Sequence, residues 1–112
     1  MPPDTHAPRL QAIDLLREFA LLAEGPPAVV ADLNDHQVTL LRMEGGHGWR
    51  ERRDGDAAYL VLEGELRIDL EQGHLWLRRG ELRVMPRGRR FRPFALQARV
   101  LLLEPRRAAG RR

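Results

Sequence analysis

After Pro27 the chain is a succession of short apolar segments punctuated by turn residues, and one stretch ahead of it follows a different period. In that stretch Leu15, Leu16, Phe19, Ala20, Leu22 and Ala23 recur at helical spacing. Asp14 suits an N-cap, and Gly25 followed by Pro26 and Pro27 suits a stop, so the spacing predicts one short helix near residues 14–24. The segments that follow are AVVADL, QVTLLRM, WRERR, AYLVL, ELRIDL, HLWL, LRVM and ARVLLLE. Turns are expected at Asn34-Asp35, Gly45-Gly46, Asp54-Gly55-Asp56, Glu63-Gly64, Gln72-Gly73 and Arg79-Gly80, with a loop at Pro86-Arg87-Gly88. Strands so short and so regularly spaced predict an all-β, mostly antiparallel barrel or sandwich of about eight to ten strands.

The alternation within segments says which faces are wet. In ELRIDL the apolar Leu66, Ile68 and Leu70 alternate with Glu65, Arg67 and Asp69, as in a strand with one face in the core and one in water. AYLVL and VLLLE do not alternate, which is the pattern of strands covered on both faces.

With 112 residues, 43% of them apolar, the chain fits a single core. The expected layout is a flexible tail over residues 1–9, one domain over 10–105 and a basic tail over 106–112. The absence of cysteine excludes disulfides and thiolate metal sites. No apolar run approaches the roughly twenty residues of a membrane span, and the opening residues lack the basic-then-apolar order of a signal peptide. The expectation is a cytoplasmic protein with no membrane partner.

Charge is uneven. Residues 1–86 hold ten arginines against fifteen acids, and 87–112 hold nine arginines against Glu104 alone. All nineteen basic residues are arginine, as a GC-rich genome would produce. Arg87, Arg89, Arg90 and Arg92 read as a solvated rim. Phe91 and Phe94 are interleaved with them, but no recognition motif accompanies them, so no specific nucleic-acid partner is expected.

The stretch AYLVLEGELRIDLEQGHLWLRRGELRVMPRGRRFRPF resembles a small single-domain cupin. Gly80, Pro86 and Gly88 occupy the fixed positions of the second cupin motif, and its histidine position is Phe91. Tyr59-Leu60-Val61-Leu62-Glu63-Gly64-Glu65 matches the end of the first motif, whose acidic position then falls on Ala57. The two histidine positions fall on Arg50 and Arg52 with the longer of the family's two spacings, and on Glu51 and Arg53 with the shorter. The resemblance implies a jelly-roll β-barrel with one short N-terminal helix, a tendency to form homodimers, and a metal held by three histidines and a carboxylate. The longer register supplies no metal donor, because guanidinium stays protonated and has no lone pair to give. The shorter leaves only Glu51. His6, His36, His47 and His74 show no ligand spacing among themselves. The expectation is therefore no metal, no cofactor and no catalytic residue.

Residues two apart on a strand share a face, so Arg50 and Arg52 point the same way, toward the interior in the longer register. They form an anion pocket for a carboxylated or phosphorylated metabolite, walled by Tyr59 and Phe91, or they pair with Glu51, Glu63 or Glu104 or reach the barrel mouth. Trp49 should face away from Arg50, under the helix or in a dimer interface, and Trp76 should lie in the core or an interface. Three functions stay open: a metal-free small-molecule binding or regulatory module, a metal-free enzyme of the sugar isomerase or lyase kind, and a structural dimer subunit without ligand.

Overall fold

A computed structural model describes residues 11–22 and 26–106. The helix α1 spans Leu15–Leu22, followed by strands β1 (Ala28–Leu33), β2 (His36–Gly46), β3 (Arg50–Glu51), β4 (Ala57–Leu70), β5 (Gly73–Arg78), β6 (Leu82–Met85) and β7 (Arg90–Pro105). All pairings are antiparallel, in the order β1-β2-β7-β4-β5, with β3 attached to β7 and β6 to β4. This is the expected all-β jelly-roll barrel with one short helix.

Asp14 caps α1: its carboxylate accepts a hydrogen bond from the Arg17 amide at 3.1 Å, and its carbonyl accepts the first helical bond from Glu18 at 3.0 Å. The predicted stop at Gly25 touches residues 23–25, which lie outside the described residues, as do the outer parts of both predicted tails. Phe19 is buried without belonging to the barrel interior, because α1 packs on the outside of β2, where Leu40 is equally buried.

The strand count corrects the sequence reading. Among the described residues seven strands stand where eight to ten were expected, because segments read as separate run together. The predicted turn at Glu63-Gly64 is absent: β4 continues through it for 14 residues, with register shifts between Val61 and Glu63 and between Gly64 and Arg67. Those shifts change which residues face inward, from Ala57, Tyr59 and Val61 to Leu66 and Ile68. Gly64 carries this irregularity with φ 83°, and a Cβ there would collide with the Gln97 carbonyl oxygen. Likewise β7 begins at Arg90, well ahead of the predicted ARVLLLE, and its inward residues change from Phe91, Pro93 and Ala95 to Ala98, Val100 and Leu102. WRERR, read as a full strand, contributes only Arg50–Glu51.

Because β4 and β7 each run through both halves of the barrel, one set of inward side chains is shared by the two layers. Tyr59, Phe91, Met85, Val61, Leu66 and Ile68 are all fully buried there. Each large apolar side chain so buried contributes about 1.5–3 kcal/mol.

Candidate functional site

Two of the four positions of the longer register are strand neighbours, and the other two lie on β4 and on the loop after β3. Arg50 lies directly opposite Phe91 in the β3–β7 ladder, and Ala57 opposite Met85 in the β4–β6 ladder. Phe91 and Ala57 are buried in the interior, beside Tyr59, whose ring meets Phe91 edge-on at 5.9 Å between centroids. The shorter register's positions point elsewhere. Glu51 lies opposite the exposed Arg90 and is 3.9 Å from Arg53, whose side chain is largely in solvent.

The two arginines have different surroundings. Arg52 is half-buried: its Nη1 donates to Glu104 at 2.9 Å, its Nη2 donates to the Tyr59 hydroxyl at 3.2 Å, and its guanidinium lies 5.9 Å from the Tyr59 ring centre. Burial works against its charge, but Tyr59 and Glu104 outweigh that cost, and its pKa lies above the ordinary arginine value. Glu104 also accepts from Thr39 at 2.8 Å and from Gln37 at 3.3 Å. Arg50 is exposed and makes no ion pair among the described residues. It borders a groove of about 560 Å³ lined by Gly48, Trp49, Arg50, Glu51, Arg52, Arg53 and Asp54.

Sequence reading missed Arg83. It pairs with Tyr59 across the β4–β6 ladder, which starts its side chain on the inward side, and its Nε is buried with no hydrogen-bond partner among the described residues. The alternation of LRVM, which groups Arg83 with the buried Met85, was the available signal. Thr39 and Gln37 were missed as well, whereas Glu104 had been singled out as a partner for the arginines.

Trp49 narrows an expectation. Of its two expected places it does not take the one under α1; in the single chain it is 38% exposed, with Arg92 and Arg90 over its ring at 4.8 and 5.2 Å. Trp76 is also partly exposed, beside Arg67, which in turn lies 4.9 Å over the Phe94 ring. The rim arginines are solvated as expected, and two of them are paired, Arg90 with Glu71 at 3.4 Å and Arg92 with Asp69 at 3.0 Å.

The metal-ligand positions do not fit a metal. Two guanidiniums, a methyl group and a phenyl ring offer no lone pair to a cation, and no group of three or more His, Cys, Asp or Glu residues comes together among the described residues.

No family model matches the chain. An uncharacterized protein YdbB of Bacillus subtilis is 40% identical over 42 residues, and that match spans 38% of this chain and 37% of the relative. Among solved structures, a cupin-2 domain containing protein from Shewanella frigidimarina superposes with a TM-score of 0.82 at 32% identity, covering 88% of this chain and 98% of the other. Protein NMB1881 from Neisseria meningitidis follows with a TM-score of 0.77 at 24% identity, covering 86% and 100% of the two chains. KdgF from Halomonas has a TM-score of 0.62 at 22% identity, covering 72% and 80%.

Proposed function

The chain belongs to the cupin superfamily as a small cupin-2 type domain, and on that premise we propose that it is a small-molecule binding module whose barrel mouth receives an anionic metabolite bearing a carboxylate or phosphate. One observation carries the reading: Arg50 and Arg83 start on the inward side, and Arg52 reaches the inward Tyr59 and Glu104. Glu104 balances Arg52 alone. Among the described residues Arg50 makes no ion pair, and the Arg83 Nε has no hydrogen-bond partner. A ligand carboxylate or phosphate supplies the acceptors that the protein does not, through paired bonds to guanidinium. Arg52, already held by Glu104 and Tyr59, serves as a fixed wall, and Arg50 is the contact that engages the ligand.

Thermal denaturation with a panel of small carboxylates, inorganic phosphate and phosphorylated sugars tests this. A ligand at about a hundred times its Kd adds roughly 2.7 kcal/mol to stability, which for a domain of this size raises Tm by on the order of ten degrees. Arg50→Ala should abolish that shift while leaving the ligand-free protein nearly as stable as the parent. If no member of the panel shifts Tm, or if R50A leaves the shift intact, the anion site is wrong.

A further inference from the structure

The outer layer formed by β5, β4, β7 and β3 carries two exposed indoles, and the strand registers show what lies between them. Trp76 lies opposite Arg67, and Arg67 lies opposite Phe94. One step further along, Asp69 lies opposite Arg92, whose guanidinium is 4.8 Å from the Trp49 ring centre. Residues directly opposite one another in a ladder start on the same face, so the indoles, the guanidiniums and Asp69 share one surface. Three features restrict what that surface can hold. First, both indoles rest on guanidinium: Arg67 lies 5.9 Å from the Trp76 ring centre, and Arg90 and Arg92 approach Trp49 from the neighbouring strand. A cation against one ring face holds the ring to the sheet, and with Trp49 and Trp76 38% and 39% exposed the other ring face is open to solvent. Second, the charge beneath the rings is already matched. Asp69 pairs with Arg67 and with Arg92, each at 3.0 Å, and Glu71 pairs with Arg90 at 3.4 Å. Three cations against two anions leave one positive charge, which offers a polyanion little counterion release and a cationic ligand no attraction. Third, two strands stand between β5 and β3, so Trp76 and Trp49 are roughly 15 Å apart across the sheet.

We propose that this face binds a neutral oligosaccharide chain, with one pyranose ring stacked on Trp76 and another ring of the same chain on Trp49. The C–H groups of a pyranose carry partial positive charge and meet the electron-rich face of an indole. Its hydroxyls both donate and accept. The platform is bordered by exposed donors on Arg90 and Arg92 and by exposed acceptors on Glu65 and Glu71, which matches both roles. An uncharged ligand gains from aromatic area and local hydrogen bonds without needing net charge on the surface, and the separation of the two rings calls for a chain and not a single sugar. The proposal goes beyond the anion-site reading and does not depend on it: Trp49 borders both places, but Trp76 and Arg67 do not line the groove at Arg50.

Titration calorimetry of the full chain with cellohexaose, mannohexaose and xylohexaose tests it. At least one of the three should bind, with an affinity that stays constant between about 50 and 500 mM salt, because the ligand carries no charge to be screened. Trp76→Ala and Trp49→Ala should each weaken that binding roughly tenfold, the loss of one stacked ring. Both side chains are exposed, and circular dichroism and Tm establish that each variant is folded. Trp76→Ala should also leave intact any Tm shift that an anion produces at Arg50, so failure of the anion site and failure of this one are read separately. If none of the three sugars gives a heat of binding at millimolar concentration, the proposal is overturned. An affinity that falls as salt rises overturns it too, as does sugar binding that W76A leaves unchanged. Tighter binding of a single-stranded oligonucleotide than of any sugar, lost in W76A, would assign the face to stacked bases instead.

Discussion

Glu104 is the residue on which the site's electrostatics turn. It accepts from Arg52, Thr39 and Gln37 at once, so removing Arg52 strands a half-buried carboxylate with only neutral donors. Arg52→Ala is expected to lower stability by about 3 kcal/mol, toward the low end of the range for breaking a buried pair, as measured by urea denaturation. Arg50→Ala should cost less than about 0.5 kcal/mol, since the group is exposed and unpaired among the described residues. The sign of the pH effect follows from the raised pKa of Arg52. A cationic group raised in the folded state contributes stability that is complete below its unfolded pKa and is lost only as pH climbs through the folded value. That window lies in strong alkali, so the Arg52 contribution should stay flat from acid to mildly alkaline pH, and a denaturation series across pH checks it. The Arg52–Glu104 pair was legible in the sequence as one of the partners named for the arginines. The unequal burial of Arg50 and Arg52 was not, because period-two alternation gives a side chain's direction but not its depth in the barrel.

At the scale of the element, β4 and β7 show what local pattern can and cannot tell. The alternation of Leu66, Ile68 and Leu70 identified the inward face of that half-strand, and two of the three are fully buried. Gly64 was read as a turn because glycine after glutamate between two apolar runs is a turn signal. The positive φ that the signal implies is present, yet the chain uses it to shift register inside one strand. Only the neighbouring backbone of Gln97 decides between those outcomes, and no local window contains it. Gly64→Ala combines a left-handed backbone with a collision against that backbone, so a loss of about 2–4 kcal/mol is expected, visible as a fall in Tm. Asp14→Ala, by contrast, removes a single cap bond and should cost about 1 kcal/mol.

For the whole molecule, the family's fold is present, and the positions that the resemblance assigns to a metal carry Arg50, Arg52, Ala57 and Phe91. Restoring that chemistry tests the register directly. Arg50→His, Arg52→His, Ala57→Glu and Phe91→His together should create affinity for zinc or nickel, measured by titration calorimetry, because Arg50 lies opposite Phe91, Ala57 is in the interior and Arg52 reaches the buried Tyr59. No gain in affinity would show that the four positions do not converge as the longer register requires. The basic C-terminal quarter should bind nucleic acid weakly and without sequence preference, with binding lost as salt rises from about 50 to 200 mM. Arg90 and Arg92 already have carboxylate partners, which reduces the charge left for phosphate. A filter-binding assay over that salt range checks it.

Trp49 gives the molecule an optical reporter of its own. Its indole lies under two guanidiniums and lines the same groove as Arg50. Tryptophan emission responds to the charges around the ring, so an anion drawn to that groove should alter the fluorescence of Trp49. Trp76, beside Arg67 on the far part of the same outer layer, should be insensitive. In a Trp76→Phe variant the emission would come from Trp49 alone, and occupancy of the groove could be followed by light, in real time and without a label, even for a ligand too weak to move the melting temperature.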